Sequence, residues 1–304
     1  MAESLQTGVY GDPPRPLAPS TVGLQFSPFA NDGARLEDAA DGSAAELTVL
    51  APAGTLERRY VLAQSLRILR PGGRLVAMAL KTRGGARLGA ELTAFGCEVS
   101  ERAKAHHRIC HCERPEVLLG TESAIATGSP QVPPDLGIWS QPGLFSWDRI
   151  DAGSALLIRS LGPLSGSGAD VGCGYGALSQ AVLENASVRA LLLVDSDRRA
   201  VDMARRNVVD PRASFLHADA RDALAQIEGL DFVVINPPFH SSGREDRNLG
   251  PELVAAAGKA LGRDGICRLV ANVALPYEAA MAADFSTVRQ IARENGFKVL
   301  EGRR

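Results

Sequence analysis

The sequence of 304 residues is poor in aromatic residues (5%), contains five scattered cysteines and carries a net charge of only −2. No apolar run approaches the roughly 20 residues that a membrane-spanning helix requires. The first residues lack the basic region followed by an apolar one that is typical of a secretory signal. An odd number of dispersed cysteines argues against a disulfide framework and favours a reducing compartment. We therefore expect a cytoplasmic protein that does not associate with membranes.

The near-zero net charge gives no global sign of a polyanionic partner, so contact with nucleic acid would require a local excess of basic residues. Such an excess lies between Arg58 and Arg87, where eight basic residues and no acidic ones occur. This cluster is compatible with RNA phosphates, whose neutralisation releases bound counterions. It is also compatible with a solvated face whose acidic partners come from elsewhere in the chain. Both interpretations remain open.

Two stretches of the chain repeat the same order of strand, helix and strand pair. Leu47-Thr-Val-Leu-Ala-Pro aligns with Phe232-Val-Val-Ile-Asn-Pro, and Arg74-Leu-Val-Ala aligns with Arg268-Leu-Val-Ala. The distance along the chain from each segment to its match is similar for the two pairs, which predicts a duplicated α/β unit. Two unrelated α/β halves are the alternative.

The prolines and glycines between residues 127 and 143 mark a linker. We place the domain boundary there, with an N-terminal domain at residues 1–135 and a catalytic domain at residues 136–304. Residues 1–45 are rich in Pro, Gly, Ala and Asp, and we expect them to form a loosely ordered leader. The first copy has Ala51-Pro52-Ala53 where the second has Asn236-Pro237-Pro238, and it lacks a glycine-rich loop. We therefore predict that the first domain has lost cofactor binding and catalysis.

The strongest local motif reads Asp-Val-Gly-Cys-Gly-Tyr-Gly and stands between a short strand and a helix. Glycines allow a ligand to approach the backbone closely, and the following helix offers unpaired N–H groups. The loop alone does not separate S-adenosylmethionine from a nicotinamide cofactor. Its candidate cofactor-binding residues are Asp170, Gly172, Gly174 and Gly176.

Acidic residues follow the next two apolar runs, Asp195 after the first and Asp219 after the second. In an open α/β sheet, ligands bind beyond the carboxyl ends of the strands, where both acids would lie. Asp195 is suited to accept hydrogen bonds from ribose hydroxyls, and Asp219 from an adenine amino group. Either acid could instead cap a helix. The three acids together favour S-adenosylmethionine as the cofactor.

The candidate catalytic turn, Asn236-Pro237-Pro238-Phe239, follows the fourth strand of this half. The side-chain carbonyl of Asn236 and the backbone carbonyl of Pro237 can accept the N–H groups of a planar amine, and Asn236 also lies within reach of the cofactor. Two prolines keep the turn rigid. Phe239 offers a ring on which a base can stack. The alternative is a turn without function.

Two other segments allow competing interpretations. The histidines and cysteines from His106 to Cys112 resemble a metal site, but they lack a second ligand pair and alternate between the faces of a strand. We therefore expect a buried strand and no metal there. Residues 287–300, with Asn295-Gly296 between two runs, predict a β-hairpin, and a helix from Phe285 to Glu294 is the alternative.

With these motifs in place, the chain resembles class I S-adenosylmethionine-dependent methyltransferases, and more closely the ribosomal RNA guanine-N2 methyltransferases of the RsmC type. The resemblance covers the chain from residue 145 onward and rests on Phe145, Asp151-x-Gly-Ser154, Asp170 to Gly176, Asn236 to His240 and Leu269 to Tyr277.

The resemblance implies a Rossmann-like, mostly parallel sheet of seven strands, preceded by a smaller, degenerate methyltransferase-like α/β domain. It implies methylation of a guanine exocyclic amine in ribosomal RNA or a ribosomal subunit, with Asn236 to Phe239 as the active-site turn. The first domain departs most from the family pattern. Methylation of a protein glutamine amide or of adenine N6, and a non-catalytic RNA-binding or ribosome-assembly factor, are the alternatives.

Overall fold

The computed structural model describes residues 7–20, 23–237 and 249–304. The chain divides into two compact units, Met1–Pro130 and Gln131–Arg304. Each unit contains its own sheet and its own apolar core.

The first unit is built on a six-stranded sheet in the order β2-β1-β3-β4-β6-β5. Its strands are β1 (Thr7–Tyr10), β2 (Leu24–Gln25), β3 (Ala44–Leu50), β4 (Leu69–Leu80), β5 (Ser100–Lys104) and β6 (His107–Glu113), and its helices are α1 (Thr55–Ile68), α2 (Ala86–Ala94) and α3 (Thr121–Gly128). The strands from β2 to β4 run parallel, and β6 and β5 complete the sheet in antiparallel pairing.

The expectation of a loosely ordered leader at residues 1–45 was wrong for the described part of that stretch. β1 lies inside the sheet, paired with β2 and β3. Phe26 and Leu36 are only 1% and 2% exposed and belong to the core of the unit. A four-residue strand is too short to show a period in the sequence. The few apolar residues between the prolines and glycines are nevertheless enough to anchor the segment.

Acidic residues outside the basic cluster pair with several of its members. Arg58 is buried against Glu91, Arg67 contacts Asp41, and Arg74 contacts Glu46. These pairs agree with the second interpretation of the cluster, in which acidic residues elsewhere in the chain neutralise it. Lys81 and Arg87 in the same cluster are exposed.

The segment with histidines and cysteines forms β6, as predicted. Cys110 and Cys112 are buried on one face of the sheet, and His111 between them is only partly covered. Across the described residues, no group of three His, Cys, Asp or Glu side chains is arranged to hold a metal ion. No described helix has the length and apolar character needed to cross a membrane.

The second unit contains the predicted seven-stranded, mostly parallel sheet, in the order β12-β13-β11-β10-β7-β8-β9. Its strands are β7 (Gly166–Val171), β8 (Val188–Asp195), β9 (Ala213–His217), β10 (Leu230–Ile235), β11 (Leu261–Asn272), β12 (Thr287–Glu294) and β13 (Phe297–Arg303). Its helices are α4 (Ala152–Arg159), α5 (Ala177–Leu183), α6 (Arg198–Asn207), α7 (Ala220–Leu224), α8 (Leu249–Ala260) and α9 (Tyr277–Ala282).

The predicted hairpin is confirmed, and the alternative helix from Phe285 to Glu294 is wrong. Asn295 and Gly296 connect β12 to β13 with φ angles of +48° and +81°. Positive φ at both central residues matches the right-handed twist of the strands. β13 is antiparallel to both of its neighbours, β11 and β12.

β7 and β10 lie next to each other at the centre of this sheet, with Val234 opposite Asp170 and Ile235 opposite Val171. Both strands are almost entirely buried because helices cover the sheet on both faces. The parallel strands β7 to β10 therefore end at one edge of the sheet. The glycine loop and Asn236 follow two adjacent strands at that edge.

Candidate active site

The glycine loop between β7 and α5 has three left-handed residues: Gly172, Gly174 and Gly176 have φ angles of +73°, +53° and +88°. The free space around Gly174 differs from that around Gly176. A Cβ atom on Gly174 would meet no heavy atom within 4 Å, whereas one on Gly176 would stand 2.9 Å from Cγ2 of Val208. Gly176 thus allows α5 to pack closely against the segment after α6. Gly174 leaves open space where a ligand can approach the backbone.

Asp170 is a buried carboxylate at the start of this loop. Ser179 Oγ on α5 donates a 2.5 Å hydrogen bond to Asp170 Oδ2. Among the described residues, Asp170 Oδ1 has no hydrogen-bond partner. Burial raises the pKa of Asp170 to about 7, with the nearby Asp195 adding to the shift and Ser179 opposing it. A buried acceptor with one free oxygen is costly unless a ligand satisfies it.

Asp195 ends β8 and faces the glycine loop. Its Oδ2 accepts a 2.9 Å hydrogen bond from the backbone N–H of Gly174, and its Oδ1 accepts one of 2.9 Å from Asp197. Desolvation raises the pKa of Asp195 to about 6 despite these hydrogen bonds. The acid that caps α6 is Asp197 and not Asp195. Asp195 is therefore fixed on the loop and keeps further lone pairs for a ligand.

Asp219 follows β9, but it is engaged differently. It caps α7 by accepting a hydrogen bond from the backbone N–H of Arg221, and its two oxygens also contact the Arg221 guanidinium. Arg221 holds the pKa of Asp219 below its ordinary value. The contacts of Asp219 in the structure are therefore those of a helix cap, the alternative role given to it in the sequence analysis. A hydrogen bond to adenine stays a prediction.

The residues around the loop fit S-adenosylmethionine. Asp195 is close enough to add to the raised pKa of Asp170, and among the described residues Asp170 Oδ1 lacks a hydrogen-bond partner. A ligand with an ammonium and a sulfonium group would offset this concentration of negative charge. Gly174 supplies the open backbone position that such a ligand requires.

Asn236 follows β10 at the same edge, next to the glycine loop. Its side-chain Nδ2 donates to Ser154 Oγ at 2.7 Å and to Asp151 Oδ2 at 3.2 Å. Among the described residues, both contacts involve the amide nitrogen as the donor, so the carbonyl oxygen is the end of the side chain that can accept. Pro237 is buried beside it. Pro238 and Phe239, the other predicted catalytic residues, and His240 lie outside the described residues.

Sequence reasoning missed several residues that hold the site together. Asn207, at the end of α6, donates to the carbonyls of Trp139 and Tyr175 at 2.8 Å each and accepts from the Trp139 N–H at 2.8 Å. These backbone contacts anchor the segment that contains Trp139 on α6 and on the glycine loop. Ser179 was missed as the partner of Asp170. In the sequence, a single polar residue in a helix gives no sign of whether it is buried and paired or exposed to solvent.

A pocket of about 490 Å³ opens beside Asp151. Its lining consists of Phe145, Ser146, Arg149, Ile150, Asp151 and Ala152. The Phe145 ring is 64% exposed, which is unusual for a large apolar side chain. This pocket therefore brings an aromatic face and a guanidinium next to the contact partner of Asn236.

Residues 135–301 match the family model described as the methyltransferase small domain. The ribosomal RNA small subunit methyltransferase C of Pseudomonas paraeruginosa strain PA7 is 33% identical over 258 residues, which are 81% of this chain and 75% of that protein. This chain belongs to the ribosomal RNA small subunit methyltransferase C family. The family member of Shewanella piezotolerans is 30% identical over 240 residues, 76% of this chain and 69% of the relative.

A solved structure shows the same fold. The 16S rRNA N2 G1207 methyltransferase of T. thermophilus, in complex with AdoMet and guanosine, superposes with a TM-score of 0.80 at 24% identity. The match covers 98% of this chain and 88% of that one. Membership of the methyltransferase C family confirms the prediction of an S-adenosylmethionine-dependent methyltransferase with two α/β units.

Proposed function

We propose that this methyltransferase modifies the exocyclic N2 amine of a guanine in small-subunit ribosomal RNA. The names of its relatives support the RNA, and the guanosine bound to the T. thermophilus enzyme supports the base. The observation that carries the chemistry is the orientation of Asn236. Its nitrogen donates to Ser154 and Asp151, so its carbonyl oxygen is the group available to a substrate amine.

A guanine amine is a weak nucleophile because its lone pair is delocalised into the ring. Two acceptors that bind its N–H groups localise the lone pair on nitrogen and aim it. We assign these roles to the side-chain oxygen of Asn236 and the backbone carbonyl of Pro237. S-adenosylmethionine, when bound, supplies an electrophilic methyl group. The protein contributes proximity and orientation, and it needs no strong base for the attack.

On the cofactor side, Asp170, Gly172, Gly174 and Gly176 form the proposed cradle. We assign the ribose hydroxyls to Asp195 and the adenine amino group to Asp219. Asp219 Oδ1 already accepts from the backbone N–H and Nε of Arg221, so Oδ2, whose second contact is the longer one of 3.2 Å from the same Nε, is the oxygen assigned to accept a further hydrogen bond. Arg221 holds the pKa of Asp219 below its ordinary value, and the carboxylate is an acceptor at neutral pH.

On the substrate side, we propose that the pocket beside Asp151 receives the nucleotide. Phe145 offers a face for base stacking, and Arg149 offers charge for a phosphate. Pro238 and Phe239 complete the proposed active-site turn. All five cysteines are free and buried, in keeping with a cytoplasmic enzyme.

For the first unit, we propose a degenerate methyltransferase-like domain at residues 1–135 that contacts RNA and does not catalyse. Lys81 and Arg87, two of the exposed members of its basic cluster, are the proposed contacts. The catalytic domain then comprises residues 136–304.

The test is methyl transfer from labelled S-adenosylmethionine into small-subunit rRNA, assembled subunits, tRNA and a protein extract. Wild type is compared with Asn236→Ala, and the labelled products are digested to nucleosides. We expect N2-methylguanosine from rRNA, reduced by about a hundredfold or more in the variant. Label in adenine or in glutamine would overturn the substrate assignment. Full activity of Asn236→Ala would overturn the assigned role of Asn236.

A further inference from the structure

We infer that Asp151 and Ser154 are positioning residues that set which end of the Asn236 amide faces the substrate. This inference rests on the proposed function, since it concerns the acceptor that the reaction requires. The structural basis is a three-membered contact formed by the first turn of α4 and the turn after β10. The residues are 82 and 85 positions apart in the chain and meet only through the fold.

The charge on Asp151 decides the orientation of the amide. An ionised carboxylate can only accept hydrogen bonds, so the group that faces it must be the Asn236 nitrogen. The distance from Nδ2 to Asp151 Oδ2 is 3.2 Å, and the distance to Ser154 Oγ is 2.7 Å. The reversed amide would place its carbonyl oxygen against the carboxylate. The repulsion between these two oxygens disfavours the reversed amide. In the reversed amide, the substrate amine would face the Asn236 N–H groups and would lack an acceptor.

Helix α4 holds the two partners rigidly. Asp151 caps the helix because its Oδ2 accepts a 2.8 Å hydrogen bond from the backbone N–H of Ser154. The same oxygen therefore fixes the helix and contacts Asn236. A Cβ atom added to Gly153 would stand 3.0 Å from the Phe297 ring, so α4 lies close to that ring and a larger side chain would require the ring or the helix to shift.

Ser154→Ala removes one of the two acceptors and leaves the helix cap in place. We expect kcat to fall by roughly tenfold, because a misoriented acceptor loses transition-state contacts. The dissociation constant for S-adenosylmethionine should change by less than about twofold. Ser160→Ala, the same chemical change at the other end of α4, is the matched control and should keep the wild-type kcat. Ser154→Thr, which retains the hydroxyl, should recover most of the lost rate.

Asp151→Ser separates the two tasks of Asp151. Serine is an effective N-cap and preserves the helix, but its side chain is too short to reach Asn236 and carries no charge. We expect a decrease in kcat of roughly tenfold or more with an unchanged thermal transition. A transition that falls together with activity would instead assign Asp151 a purely structural role.

The double variant Ser154→Ala/Asn236→Ala tests whether Ser154 acts through Asn236. If it does, the double variant is no slower than Asn236→Ala alone, because the group to be positioned is absent. Additive losses would overturn the inference. A measurement that does not depend on catalysis is the solvent-exchange rate of the Asn236 side-chain NH₂ protons in the free protein. Their ¹H–¹⁵N signals are identified by their loss in Asn236→Ala. These protons should exchange faster with solvent in Ser154→Ala and not in Ser160→Ala.

The two proposals fail in different ways. If Asn236→Ala abolishes methylation of guanine but Ser154→Ala and Asp151→Ser match the Ser160→Ala control, the positioning role is wrong and the proposed function stands. If the labelled product is not N2-methylguanosine, the proposed function is wrong whatever the positioning variants show.

Discussion

The two units place different groups around the turn that follows a central parallel strand. In the second unit, Asn236 and Pro237 follow β10, and the Asn236 nitrogen is held by neighbours that leave its oxygen available. In the first unit, Ala51-Pro52-Ala53 follow β3. There the carbonyls of Pro52 and Ala53 accept hydrogen bonds from the Arg58 guanidinium at 3.3 and 2.7 Å.

Arg58 in turn is paired with Glu91 through two contacts of 2.7 Å and is only 1% exposed. The carbonyl groups that could contact a substrate in one unit are therefore occupied by the protein itself in the other. The comparison indicates that one fold can keep or lose a site through the residues around a single turn. Loss of catalysis in the first unit stays a prediction.

The largest expected effect comes from breaking the pair that occupies the first unit's turn. Arg58→Ala leaves Glu91 as a buried charge without its partner and leaves the Pro52 and Ala53 carbonyls unsatisfied. We expect a loss of about 3–5 kcal/mol in the free energy of unfolding, measured by chemical denaturation. Arg74→Ala, which breaks the exposed contact with Glu46, is the control and should cost less than about 1 kcal/mol. Equal losses would contradict this account.

The second prediction distinguishes the roles of two glycines, Gly174 and Gly176, in the glycine loop that the first unit lacks. Gly176→Ala places a Cβ 2.9 Å from Val208 in a left-handed conformation and should lower unfolding free energy by roughly 2–3 kcal/mol. Gly174→Ala meets open space, so it should lose only about 1 kcal/mol but weaken S-adenosylmethionine binding at least roughly tenfold. Calorimetry and titration measure both quantities. Weak binding by a fully stable Gly176→Ala would reverse the assigned roles.

The third prediction concerns pH. Asp170 has a pKa of about 7 in the folded protein against an ordinary 3.8, so the folded protein retains a proton that the unfolded chain releases. Its contribution to stability therefore falls as pH rises from about 4 to about 7. A cationic cofactor requires the ionised form. Affinity for S-adenosylmethionine should consequently rise roughly tenfold to a hundredfold between pH 5 and pH 8, as isothermal titration would measure.

Asp170→Asn is the control for that pH dependence. It removes the ionisable group, so we expect weaker binding with a flatter pH profile. A wild-type affinity that does not change between pH 5 and pH 8 would contradict the assignment of Asp170 to the cofactor site.

The smallest expected effect tests RNA contact by the first unit. Lys81→Ala/Arg87→Ala should weaken rRNA binding a few-fold and reduce the slope of log affinity against log salt by about 1 per phosphate contact. Lys259→Ala, an exposed lysine of the second unit, is the control. Unchanged affinity and slope in the double variant would assign the basic cluster to intramolecular pairing alone.

The sequence was informative where the chemistry is local. The family resemblance implied the seven-stranded sheet, and the hairpin followed from Asn295-Gly296, whose positive φ angles few other residue pairs adopt. The loop at Asp170 to Gly176 was recognisable because its glycines are close in sequence. β1 could not be predicted because four residues show no period.

Long-range partners could not be predicted at all. Nothing near Asn236 in the sequence indicates that Ser154 accepts its amide proton, because the contact exists only once α4 packs against β11 and β13 of the sheet. The same holds for Asn207 and Trp139, which are 68 residues apart. The role of Asp219 was ambiguous because a helix cap and a ligand contact use the same residue type at the same end of a strand.

The position of β13 has a consequence for the order in which the enzyme forms during synthesis. Among the seven strands of its sheet β13 is translated last, yet it lies between β11 and β12, and its Val299 and Leu300 are fully buried. Until Arg303 has been added, β11 therefore has an open edge and β12 has no partner in the sheet. An open edge is prone to pair with other chains. The sheet of the second unit is therefore completed only after the glycine loop and the Asn236 turn have been synthesised.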